Sequence, residues 1–295
     1  MTEAADRDRA GRSADRRPVA VGVDGSAESL AAVEWAGADA VSRDVPLWIV
    51  CARRKSHGPG EWEPWPQDQL HAAHRLAAEL YPSLAITEDA VCDSPVKALM
   101  AAGGEAALLV LGSRGLGSVE GYVLGSVGLS VIAHSRRPVV AVRGRMPAGA
   151  AAETGPVVAG VDLHDGHEEV LGFAFRTASA QKRTLRVAHA WSVRHVYSYP
   201  SALPDPRITA QAGADSERAL ERLLTPWRER FPEVDTEIRC EGEAVAPYLL
   251  QVASDAAVLA VGRRLRGHPF PTRVGPVVHA LLHHSARPVA VVPHG

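Results

Sequence analysis

The sequence predicts an α/β protein built from two consecutive doubly wound domains, each a parallel five-stranded sheet flanked by helices. Three observations carry this expectation. The chain has 295 residues, against a prior of about 150 per domain. Its halves repeat: Gly112, Arg114, Gly117, Gly125, His134, Ser135, Arg137 and Pro138 fall on Gly262, Arg264, Gly267, Gly275, His284, Ser285, Arg287 and Pro288 at an offset of 150. The two starts, Val19 to Asp24 and Val157 to Asp162, align at an offset of 138, so the second half carries twelve extra residues in its middle. Finally, short apolar runs alternate with helical patterns through each half.

The elements of the first half follow in order. Pro18–Val23 is an apolar run ending in Asp-Gly-Ser, a strand entering a turn. Ser26 is placed to cap a helix, with Glu28 near its positive end and Leu30, Val33, Gly37 and Val41 on one face. Leu47–Cys51 is the second strand, Gln67–Tyr81 a helix closed by Pro82, and Ala85–Val91 the third strand. Ser94–Ala102 is a helix, Ala107–Leu111 an almost wholly apolar strand, Gly125–His134 a helix and Pro138–Val142 the last strand. Continuous apolar strands suit a parallel sheet covered on both faces. The second half repeats the plan, with strands near Val157–Val161, Leu185–Ala190, Thr236–Cys240, Val258–Val261 and Pro288–Val292. The expected organisation is a disordered tail over 1–17, a first domain over 18–143, a linker over 144–155 and a second domain over 156–295.

Composition narrows the function. The net charge is −2, which gives no bulk attraction for nucleic acid. No apolar run has the eighteen or more residues of a membrane span, and the start has no apolar core of a signal peptide. The three cysteines, Cys51, Cys92 and Cys240, form no CxxC pair and no even set. A cytoplasmic protein without a disulfide framework or zinc cluster is expected.

In doubly wound sheets ligands bind beyond the carboxyl ends of the strands, at the point where strand order reverses. That places Asp24, Ala52 and the loop after Leu111 at one crevice, and Asp162, Ala190 and the loop after Val261 at another. The first loop, Gly112–Ser126, reads GSRGLGSVEGYVLGS. Its five glycines allow main-chain N–H groups to converge on an anion, and the helix behind it offers a positive end and the Ser126 hydroxyl. It has no lysine, so it is not a Walker A loop, and the GxGxxG dinucleotide fingerprint is absent.

The spacing G-x2-G-x9-G-S (Gly112, Gly115, Gly125, Ser126), with Val23-Asp24 ending the first strand, resembles the nucleotide-binding branch of the universal stress protein family. The resemblance covers residues 18–143 and 156–293. It implies sheet order 3-2-1-4-5, ATP as ligand, and Mg2+ or Mn2+ in the company of the phosphates. It assigns adenosine to Val23, Asp24 and Ala52, and ribose and phosphates to Gly112, Arg114, Gly115, Gly125, Ser126 and Val127. It also implies dimerisation through last strands, so that a tandem chain resembles a covalent pseudo-dimer with Pro138–Val142 facing Pro288–Val292. AMP and cAMP remain alternatives, the phosphate loop favouring a polyphosphate.

The second copy departs from the motif. Gly115 is matched by Leu265 and Ser126 by Pro276, and Pro269 and Pro271 remove further N–H groups. The expectation is one competent and one degenerate nucleotide site, with residual anion affinity through Arg263, Arg264, Arg266 and Arg273 as the rival. Glu120 is the sole carboxylate in the first loop, and no catalytic constellation appears by spacing, so no catalytic or metal-ligating residue is assigned. His71 and His74, and His279, His283 and His284, read as helix faces; His164 and His167 as surface residues; Cys51 as buried filler; Trp62 and Trp65 as loop anchors. The leading function is a nucleotide-binding stress or regulatory module acting with a homodimer or protein partner. Slow ATP hydrolysis, nucleotidyl or phosphoryl transfer, and a nucleotide-free scaffold are the alternatives.

Overall fold

A computed structural model describes residues 17–52, 67–113, 125–144, 155–191, 206–265 and 274–295. The expectations for the N-terminal tail, Trp62, Trp65, Arg114, Gly115, Glu120, the linker core, Arg266, Pro269, Pro271 and Arg273 lie outside the described residues.

The chain divides into two compact units, the first running to Met146 and the second starting at Pro147. Unit 1 contains β1 (Val19–Val23), α1 (Ala27–Arg43), β2 (Leu47–Ala52), α2 (Gln67–Leu80), β3 (Ile86–Val91), α3 (Pro95–Glu105), β4 (Leu108–Ser113), α4 (Ser126–His134) and β5 (Val139–Arg143). Its strands are all parallel, in the order β3-β2-β1-β4-β5. Unit 2 contains β6 (Val157–Gly160), α5 (His167–Gln181), β7 (Leu185–Ala190), α6 (Pro206–Arg230), β8 (Thr236–Glu241), α7 (Val245–Val252), β9 (Val258–Arg264), α8 (Pro276–His284) and β10 (Val289–His294). It repeats the topology as β8-β7-β6-β9-β10, again all parallel. In both units the order reverses beside the first strand, which creates the crevice.

The central strands are apolar because both faces are covered. Val19, Ala20, Val21, Leu109 and Val110 are fully buried, as are Val157, Val158, Leu259 and Ala260. In unit 1, α1 packs with α2 and α3 packs with α4. The edge strand β3 is partly exposed and carries Thr87, Glu88 and Asp89. Glu88 there pairs with Nδ1 of His74 on α2.

Two local expectations need correction. Val41 is 47% exposed, because the buried stripe of α1 runs Ala32, Val33, Ala36, Gly37, Ala40 and turns away before it. Helix α3 continues beyond Ala102 through Gly103 and Gly104 to Glu105, since Gly103 is held against Leu109 of β4. The extra residues of the second half lengthen one helix, α6 having 25 residues against 14 in α2.

Candidate functional site

The site in unit 1 is built at the carboxyl ends of β2, β1 and β4. Register puts Val23 beside Cys51, and Gly22 beside Leu111. Val23 and Ala52 end β1 and β2, Gly112 is the penultimate residue of β4 at nearly the same level, and Asp24 opens the turn above them. Cys51 is 4% exposed and packs as filler.

The turn after β1 is fixed by its own side chains. Asp24 Oδ1 accepts from the Ser26 main-chain N–H at 3.1 Å and from Ser26 Oγ at 2.5 Å. Gly25 sits at φ +81, a conformation that disfavours a side chain. Ser26 is the N-cap of α1 and accepts from Ser29 N–H at 3.2 Å. Asp24 is exposed at the rim, so its carboxylate both holds the turn and marks the crevice.

Two glycines of the loop behave oppositely. A Cβ on Gly112 would lie 2.5 Å from the carbonyl carbon and oxygen of Glu28, so β4 can approach the first turn of α1 only without a side chain. A Cβ on Gly125 would meet nothing within 4 Å among the described residues. Gly125 has φ −57, which any residue adopts, so neither packing nor backbone strain requires it. It is the N-cap of α4 and supplies no side-chain cap. The first N–H groups of that helix, at Ser126 and Val127, have no intrahelical partner.

Unit 2 keeps the turn. Asp162 Oδ1 accepts from His164 N–H at 2.9 Å, as Asp24 does from Ser26. A cavity of about 940 Å3 lies at the carboxyl ends of β6, β7 and β9. Among its lining residues are Asp162, Asp165, His189, Asp215, Arg264 and His294. Asp165 Oδ2 accepts from Arg264 Nε at 2.5 Å, and the hydrogen bonds from that guanidinium hold the Asp165 carboxyl below its ordinary range. Asp215 accepts from Arg218 and from Gln211 Nε2.

Of the four arginines weighed for residual anion affinity, Arg266 and Arg273 lie outside the described residues. Arg263 is 4% exposed, and burial lowers its pKa; Arg264 is engaged by Asp165. Pro276 occupies the first turn of α8, so the helix start survives with a main-chain donor missing. Sequence reasoning missed His189, Trp191, Asp215 and His294 as cavity residues. The offsets of the repeat contain the signal for two of them, since His189 stands where unit 1 has Cys51, and His294 where it has Gly144. No group of three or more His, Cys, Asp or Glu among the described residues is arranged to hold a metal ion. No described helix is long and apolar enough to cross a membrane.

Comparison with known proteins bears on the family and the fold. Residues 15–143 and 153–293 each match the family model described as the universal stress protein family. The chain is 30% identical over 287 residues to the universal stress protein Rv2005c of Mycobacterium tuberculosis, covering 92% of this chain and 96% of that one. A universal stress protein from Archaeoglobus fulgidus shares the fold with TM-score 0.66 at 16% identity, over 95% of this chain and 99% of that chain. A universal stress protein solved in complex with cAMP is 33% identical and covers 44% of this chain and 98% of its own, with TM-score 0.36.

Proposed function

Because the chain belongs to the universal stress protein family, in two tandem copies, we propose that it is an ATP-binding regulatory protein of the stress response that works in the cytoplasm and holds nucleotide in unit 1. The observation that carries this reading is the start of α4, where the described packing does not need Gly125 and Ser126 keeps the main-chain N–H that Pro276 removes at the matching start of α8. A helix start of this kind offers main-chain donors and the positive end of the helix dipole to a phosphate. Gly125, Ser126 and Val127 would hold phosphates together with Arg114 and Gly115 of the loop, and Mg2+ or Mn2+ would accompany them. Val23, Asp24 and Ala52, at the ends of β1 and β2, would take the adenosine. Gly112 contributes by letting β4 close on α1, which sets the crevice wall. Occupancy then biases contact with a second copy or another protein by linkage.

Titration of ATP with Mg2+ into the full chain and into a Gly125→Val variant tests this. The unmodified chain should bind, and the variant should bind at least tenfold more weakly while its nucleotide-free melting temperature stays the same. Equal binding by the two, or no binding by either, would refute the assignment.

A further inference from the structure

Unit 2 keeps the crevice and changes its chemistry. The cavity of about 940 Å3 falls in the size range that encloses small organic ligands. Val161, Val170, Ala188, Leu249, Val261 and Val278 give it an apolar floor, and Trp191 adds an aromatic surface.

Its polar groups do not suit a phosphate. The first turn of α8 begins with Pro276, which lacks an N–H, and Gly275 before it brings no hydroxyl. Arg264 is the cation among the described lining residues, and Asp165 neutralises it. Asp162 adds negative charge at the same wall, whereas Asp215 is paired with Arg218. A phosphate ester entering here would meet carboxylates and no uncommitted cation among those residues.

The same groups suit a ligand that donates hydrogen bonds. Asp162 presents a carboxylate, and Ser216 a hydroxyl. His189 is 8% exposed, and its Nδ1 lies 2.8 Å from the Val161 carbonyl, which can only accept. The proton therefore sits on Nδ1, and in the neutral ring Nε2 is an acceptor. His294 is also 8% exposed, lines the cavity, and has its Nδ1 buried without a hydrogen-bond partner, 3.6 Å from Asp165 Oδ1.

We propose that the unit 2 cavity is a second ligand site, which takes an uncharged or cationic ring compound bearing N–H donors and rejects phosphate esters. This goes beyond the nucleotide assignment of unit 1 and does not depend on it. The two copies then bind different chemical classes, one through an open helix start and the other through a cavity whose acceptors are the Asp162 carboxylate and His189 Nε2.

Calorimetric titration of the full chain with adenosine and with AMP tests the proposal, since the probes differ only in the phosphate and the adenine ring carries N–H donors. Ser216→Trp, which fills the cavity, and Asp162→Asn, which keeps the turn but removes the charge, locate the signal. Adenosine should show a binding component that Ser216→Trp abolishes and Asp162→Asn weakens severalfold. AMP should bind that component at least tenfold more weakly, and Asp162→Asn should narrow the gap. Should Ser216→Trp unfold unit 2, the Asp162→Asn comparison decides alone. Absence of adenosine binding, adenosine binding untouched by Asp162→Asn, or equal affinity for AMP would overturn the proposal. Titration of ATP against Gly125→Val reports on unit 1 separately, so failure of one site is distinguishable from failure of the other.

Discussion

The imidazole of His294 fills the space over Gly166, where a Cβ would lie 2.4 Å from the ring. In unit 1 the equivalent pair is reversed: Glu28 stands where unit 2 has Gly166, and Gly144 stands where unit 2 has His294. A Cβ on Gly144 would lie 2.5 Å from Glu28 Cγ. Each unit thus places one large and one small residue at the same contact, from opposite sides: α1 supplies the bulk in unit 1 and β10 in unit 2. The exchange also shortens the helix start, since α5 begins at His167 behind a left-handed Gly166.

Gly166→Ala should therefore destabilise unit 2 on two counts, the positive φ of +67 and the His294 ring. A loss of about 1–3 kcal/mol is expected in denaturant unfolding. Adding His294→Gly should recover the steric part and leave the backbone part. Additive losses in the double variant would show that the two residues are not coupled.

Gly112 and Gly125 should separate cleanly. Gly112→Ala forces a methyl into the Glu28 main chain and should cost about 1–3 kcal/mol through overpacking. Gly125→Ala meets open space at φ −57 and should change stability by less than about 1 kcal/mol, the entropy gain from the unfolded chain offsetting the poorer N-cap. Chemical denaturation of the nucleotide-free chain checks both, and a Gly125→Ala variant as unstable as Gly112→Ala would remove the reason for calling Gly125 a ligand glycine.

Acid should weaken unit 2 through Asp255. Hydrogen bonds from Arg186, at 2.8 Å to Asp255 Oδ1, hold that carboxyl below its ordinary value. A depressed folded-state pKa gives stability that is complete above the unfolded value of about 3.9 and is lost as pH falls through the folded value. Arg186→Met should give a shallower decline of unfolding free energy between about pH 5 and pH 2. Parallel curves for the two proteins would contradict this.

Alkali should act through Tyr248. Burial pushes its hydroxyl up to about 12, with Glu241 adding to the shift. The unfolded chain then loses this proton first, so the contribution is intact below about pH 10 and disappears as pH rises through the folded value. Tyr248→Phe should flatten the stability curve above about pH 10, measured by urea unfolding in steps of pH. An unchanged slope would show that the phenol is not the titrating group.

Much of the fold could be read from the sequence because burial is written into the strands. VAVGV and LLVL are apolar throughout, and only a sheet covered on both faces needs that. The turn at Asp24 was likewise visible in Asp-Gly-Ser, whereas the matching turn at Asp162, closed on the His164 N–H, was not read from Asp-Leu-His. What escaped was pairing at a distance. Nothing local tells Gly112 from Gly125, because one is required by the Glu28 main chain and the other by nothing described. Nor does a single histidine announce a cavity; His189 and His294 gain meaning from being matched with Cys51 and Gly144 across the repeat. Arg263 looked exposed because arginines usually are, but β9 carries it inward.

The most direct test of the account is the nucleotide content of the protein itself. The full chain would be purified without added nucleotide, saturated with ATP and Mg2+, freed of excess ligand and denatured, and the released compound identified and counted per chain. One ATP per chain is predicted, held in unit 1 and lost in Gly125→Val. Two ATP per chain would contradict the exclusion of phosphates from unit 2, and none would contradict the nucleotide assignment and favour a scaffold.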